Sequence, residues 1–196
     1  MDSTEEWLLF IPQVSAASSK LRAMFARRLQ GIGAVQLQTN LWLLPYTPEH
    51  EKLIITIITE LERYGGSGFF FRSQAGKSEM QQRLIVHFQI LQHQEYMTFM
   101  RSCQEFLTRI EQPALNNDWS FDILEENERA LHKLTTWLPK LQRRDFFPDE
   151  HSAQARTLYE QCSQALYELA ITVYTYHNTH ASPDQTTTSE KAENES

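Results

Sequence analysis

The chain reads as an α+β protein, a ferredoxin-like βαββαβ domain followed by a three-helix C-terminal extension. Three observations carry that expectation. Short apolar runs and two amphipathic stretches alternate in the order β-α-β-β-α-β up to residue 71. A hydroxyl–proline–acid sequence at Thr47–Pro48–Glu49 marks a helix start inside that order. Beyond residue 77 the apolar spacing changes to steps of three and four over three long stretches.

Each element has a local reason. Glu6–Pro12 (EWLLFIP) is short and apolar enough for a buried strand. Ser15 or Ser18 can cap a helix that runs to about Gly31, with Gly31 and Gly33 as the stop. Ala34–Gln38 and Leu41–Pro45 flank a tight turn at Thr39–Asn40 and read as two short strands. After the Thr47 cap, Leu53, Ile54, Ile57, Ile58 and Leu61 recur at helical spacing until Gly65–Gly66, and Gly68–Phe71 is the fourth strand. Two helices are expected on one face of a four-stranded antiparallel sheet.

In the second half, Leu84, Phe88, Leu91, Phe99, Cys103, Phe106 and Ile110 predict one helix over about 77–112, with a length of roughly 50 Å. Pro113–Asp118 breaks it. Leu124, Leu131, Leu134, Leu138 and Leu141 mark the next helix, which ends before Phe146–Pro148. Leu158, Cys162, Leu166, Leu169 and Val173 mark the last. The expected organisation is therefore a domain over 1–75, a helical extension packed on it over 76–180, and a disordered Thr/Ser/Glu-rich tail over 181–196.

Composition narrows the function classes. A chain of 196 residues with 4 Trp, 7 Tyr and 11 Phe can bury a substantial core, while 6 Gly and 7 Pro are too few for a turn-rich β-sandwich. Cys103 and Cys162 lie far apart without a CxxC spacing, as expected of buried apolar groups in a reducing cytoplasm. The acidic start, MDSTEE, is unlike a signal peptide, and no apolar run nears the roughly 18 residues of a membrane span. A soluble cytoplasmic protein without membrane contact is expected.

Charge is distributed unevenly. The formal net charge is −7, yet residues 7–45 contain Lys20, Arg22, Arg27 and Arg28 and no carboxylate, so the remainder sums to −11. An acid-free cationic element in an acidic chain points to an anionic partner, a nucleic-acid backbone or an oxyanion. On a helix, Leu21, Met24, Phe25, Leu29 and Ile32 share one stripe, with Lys20 and Arg27 on one flank and Arg22 on the other. For these three a solvated face competes evenly with phosphate or oxyanion contact. Arg28 points into the stripe and must snorkel to an edge or meet an anion. An internal ion pair is favoured there, with the acid-dense segment Asp122–Glu128 as its source.

Other chemistry is scarce. His87 and His93 point about 120° apart on a helix, and His177 and His180 share a face without a third ligand nearby, so all seven histidines are expected to be solvent-exposed. There is no phosphate-binding glycine loop, no G-x-S-x-G and no supported Cys–His pair. No metal and no cofactor is expected.

Several motifs fall in a familiar order. Trp7–Leu8–Leu9 with Ile11–Pro12, Arg22, Arg27–Arg28–Leu29, Gly33–Ala34 and Trp42–Pro45 are followed by Gly65–Gly66, Phe88, Tyr96 and Arg144–Asp145–Phe146–Phe147. Together they resemble the N-terminal domain of the chromate-resistance protein ChrB family over most of residues 6–175. More distantly, the strand–helix–strand pattern is similar to the middle domain of PaaX-type repressors and to the small nucleases of CRISPR adaptation. The resemblance implies a chromate-responsive transcriptional regulator or regulatory subunit, a non-enzyme that binds DNA or chromate and forms a homodimer. ChrB proteins usually continue into a second, C-terminal domain associated with resistance, and this chain stops without it; if sensing resides there, a regulator half, a split partner or a reassigned paralogue is the expected form. The family often has Trp where this chain has Ala26. The nuclease relatives hold a divalent metal with an aspartate at the end of the first strand, where Ile11–Pro12–Gln13 stands instead. Two alternatives remain beside the regulator. One is an interaction module that pairs through a sheet edge without DNA. The other is an enzyme, a nuclease or a chromate reductase using Cys103 or Cys162, against which buried thiols are usually inert.

Overall fold

The computed structural model describes residues 6–14, 19–116 and 118–180. The Ser15 or Ser18 cap and the 181–196 tail lie outside the described residues. The fold is α+β and mostly helical, built on one four-stranded antiparallel sheet. Its elements are β1 (Glu6–Gln13), α1 (Ser19–Gly31), β2 (Val35–Gln38), β3 (Leu41–Pro45), α2 (Pro48–Arg63) and β4 (Ser67–Gln74). There follow α3 (Ser78–Ile110), α4 (Gln112–Asn116), α5 (Phe121–Arg144) and α6 (Glu150–His180). The strands lie in the order β2-β3-β1-β4.

Local signals act as their chemistry requires. The Thr47 hydroxyl accepts the His50 N–H at 3.0 Å with Pro48 at the first helical position, so α2 begins with two of its orphan donors accounted for. Its end is closed by Gly65 at φ +73°, which lets Gly66 N–H return to the Leu61 carbonyl at 2.9 Å.

Because side chains alternate across a strand, the sheet has two different apolar faces. Leu8 and Phe10 of β1 stand opposite Leu44 and Trp42 of β3 on the first face. Phe25 and Leu29 of α1 and Ile54, Ile57 and Leu61 of α2 cover them. Trp7, Leu43 and Val35 point the other way and meet Phe88 of α3, with Phe146 and Phe147 from the α5–α6 connection. A separate core joins α3, α5 and α6 through Tyr96, Phe99, Cys103, Leu134, Leu138, Leu141, Cys162 and Val173.

The structure revises several expectations. The region 113–118 is not a plain break but holds most of the short helix α4, because a proline is tolerated in a helix's first turn. The strand β4 runs three residues beyond Phe71, through polar Arg72–Gln74, since a neighbour on one side suffices for an edge strand. Met24 and Leu53 lie at the margins of their stripes and are more than one-third exposed.

Candidate functional site

The outward face of α1 carries the cations singled out by charge. Lys20, Arg22 and Arg27 are exposed, and no acidic residue stands in the helix's first turn. The Arg27 Nε donates to the Ala23 carbonyl of its own helix at 3.3 Å, which fixes the side chain along the helix while its charge stays in solvent. Arg28 does reach an edge and a carboxylate, but the partner is Glu60 of α2, not the segment Asp122–Glu128. The reason is proximity: α1 and α2 lie side by side on the first face of the sheet, whereas α5 packs with α3 and α6. Arg28 therefore ties two helices together, and with about a third of both side chains exposed the pair contributes modestly.

Beside Arg22 a groove of about 280 Å³ opens between α1 and the β2–β3 turn. Arg22 and Ala26 form its helical wall, Gln36, Thr39 and Asn40 its opposite rim, and Trp42 lies against its floor. The Gln36 amide nitrogen donates to the Thr39 carbonyl at 2.8 Å, which stiffens the turn. Among the described residues, no carboxylate lines this groove.

A second, larger cleft of about 620 Å³ lies between the sheet and the helices, bordered by the 144–147 segment. Its charge is different. Arg144 is ion-paired with Glu95 of α3, and Asp145 accepts the Tyr96 hydroxyl at 3.0 Å. Burial raises the Asp145 carboxyl above its ordinary range, with the Tyr96 bond opposing it. Burial and the Asp145 bond raise the Tyr96 phenol in turn. Gln89 and Gln92 donate to the Phe147 and Leu141 carbonyls at 3.3 and 3.1 Å. These partners describe a latch that fastens the α5–α6 connection to α3, and its cation is already matched. A dianion gains no net attraction there.

Sequence spacing missed the histidine contact at this connection. His93 and His151 meet edge to face with ring centroids 4.0 Å apart, and His151 Nδ1 lies 3.1 Å from Asp149. Burial alone would raise Asp149, but its bonds from His151 outweigh that and hold it below the usual range. His50, His87, His93 and His151 are half-buried rather than exposed, because tertiary contacts, invisible to helical periodicity, enclose them. His132, His177 and His180 are exposed as expected, with His177 stacked on Phe121 and bonded to the Trp119 carbonyl. Among the described residues, no group of three or more His, Cys, Asp or Glu side chains is gathered to hold a metal.

Cys103 and Cys162 are fully buried and adjacent, with Cys162 Sγ 3.5 Å from the Cys103 carbonyl. The interaction with Cys162, then burial, raises the Cys103 thiol, while the same interaction lowers Cys162; both sulfurs are buried, so neither is presented to a solute. No helix among the described residues is long and apolar enough to cross a membrane.

The family model described as Protein ChrB, N-terminal, matches residues 22–180, most of the chain. No curated protein matches it.

Proposed function

The chain belongs to the ChrB N-terminal family, and from that premise we propose that it serves chromate resistance as a non-enzymatic, chromate-responsive regulator or regulatory subunit whose helix α1 contacts DNA. One observation carries this reading. Lys20, Arg22 and Arg27 stand exposed on a helix within a 39-residue stretch free of carboxylate, in a chain of net charge −7. Phosphate contact needs such a local cationic face, and a net-acidic remainder suppresses indiscriminate coating of nucleic acid.

The N-terminal unit, bounded near residue 75, is on this reading ferredoxin-like; the strand order β2-β3-β1-β4 and the two helices on one face support it. The extension over 76–180 supplies rigidity through the latch and its own core. Free, buried thiols suit a reducing cytoplasm.

The test is binding of the full chain to duplex DNA from the region upstream of its own gene, with and without chromate. Retardation that changes with chromate and disappears on joint Lys20→Glu, Arg22→Glu and Arg27→Glu substitution is expected. Binding that survives charge reversal defeats the assignment to α1.

A specific observation favours a second reading, self-association without DNA. The strand β4 pairs with β1 along all eight residues, and its outer edge has no partner strand among the described residues. Phe69 and Phe71 on it are 54 % and 55 % exposed. Such an edge invites pairing with a second copy. Sedimentation of the full chain as a dimer, reduced to monomer by Phe69→Lys with Phe71→Lys while nucleic acid is ignored at low salt, selects this reading.

A further inference from the structure

The groove beside Arg22 offers more than a bare phosphate can use. A small oxyanion needs a few convergent donors, whereas this groove has about 280 Å³ and an apolar lining that includes Phe25, Ala26, Leu29 and Trp42. Its rim carries a carboxamide at Asn40, a hydroxyl at Thr39 and the carboxamide of Gln36, whose nitrogen is already committed to the Thr39 carbonyl. That commitment leaves the Gln36 oxygen as an acceptor beside the exposed Asn40 amide. A flat body with polar edges, attached to an anionic chain, fits all three features.

We propose that this groove receives one unpaired nucleobase from a single strand, its ring against the apolar floor and its edge against Asn40, Thr39 and Gln36. The adjoining phosphate then meets Arg22 at the groove wall, while Lys20 and Arg27, on the other flank of α1, add longer-range attraction. The inference rests on the reading that α1 faces nucleic acid, and it sharpens the ligand class. A closed duplex keeps its bases stacked and cannot fill the groove without the cost of unstacking, so a single strand or a locally opened site is preferred. Charge complementarity supports the same occupant: Arg22 stands in the groove wall, and no carboxylate lines it among the described residues.

The test titrates the full chain at low salt with labelled oligothymidylate, oligouridylate and a duplex of equal length. A single strand is expected to bind at least about fivefold more tightly than the duplex, the equivalent of about 1 kcal/mol from one enclosed base. A difference between the two single strands identifies DNA or RNA as the source. Ala26→Trp, which fills the groove, brings the ratio of single-strand to duplex affinity to about one. Asn40→Ala, at an exposed turn position where folding is little affected, lowers the same ratio. Equal binding of strand and duplex, unmoved by either substitution, overturns the groove while leaving the basic face intact. Binding to none of the three probes overturns both.

Discussion

The two faces of the sheet are covered in different ways, and the contrast separates architecture from chemistry. The first face is closed locally by α1 and α2, which come from the same stretch of chain as the strands they cover. The second is closed from a distance, by Phe88 of α3 and by Phe146 and Phe147, about a hundred residues beyond the strands. Trp7 stacks on Phe88 with centroids 5.6 Å apart and lies 5.9 Å from Phe147. Much of the ChrB likeness converges there: Trp7, Gly33, Phe88, Tyr96 and Arg144–Phe147 all belong to this junction or its latch. The likeness touches both closures, whereas the cations that argue for an anionic partner stand on the local one alone. The packing of the distant closure and the exposed charge of α1 rest on different side chains, so each can be broken without the other.

The largest effect is expected at Gly33. Its φ of +84° disfavours any side chain, and a Cβ there would lie 2.7 Å from the Phe146 ring. Gly33→Val combines backbone strain of ~1–3 kcal/mol with overpacking of similar size, so chemical denaturation should show a loss of about 2–5 kcal/mol. Phe146→Ala comes next. The side chain is half-buried and bridges both apolar faces, so a loss of about 2–4 kcal/mol is expected by the same measurement. Limited proteolysis should then cut first at the α5–α6 connection, not within α1 or α2. Initial cleavage inside α1 would show that the two closures are not separable.

Two smaller effects concern the polar latch. Tyr96→Phe leaves the half-buried Asp145 without its hydroxyl donor, at a cost of about 1–2 kcal/mol near neutral pH. Native Asp145 keeps its proton to higher pH than an unfolded carboxyl, so stability falls as pH rises through that interval. Losing the Tyr96 bond raises the native value further, and the variant's deficit should therefore shrink in acid. Asp149 has the opposite sign. Its native value is depressed, so its contribution is present above the unfolded pKa and lost as pH falls through the native one. Asp149→Asn should cost at most about 1 kcal/mol at neutral pH and nothing measurable once the wild-type carboxyl is protonated. Thermal melts across that pH range would read the convergence.

The element order was legible because each boundary has a local chemical cause. The Thr47–Pro48–Glu49 start, the Gly65–Gly66 stop and the Thr39–Asn40 turn all act over a few residues. What escaped was tertiary. The spacing that called His93 exposed contains nothing about His151, which arrives from another helix. Arg28 was rightly expected at an edge with a carboxylate, but local acid density pointed to the wrong helix. Glu60 was the better candidate because α1 and α2 share one face of the sheet. The R-D-F-F segment was visible as a motif, yet its work as a latch depends on Gly33, Trp7 and Tyr96 from far upstream. For the candidate site, charge found the α1 face, while the groove beside it required the β2–β3 turn in place.

The central claim is that the exposed cations of α1 meet nucleic-acid phosphates. It is tested most directly by measuring duplex affinity of the full chain against salt, beside the joint Lys20→Glu, Arg22→Glu, Arg27→Glu variant. Three phosphate contacts predict a fall of log affinity with log salt of slope about −2 to −3, lost together with binding in the variant. A variant that keeps its fold and binds with the wild-type slope and affinity would contradict the account.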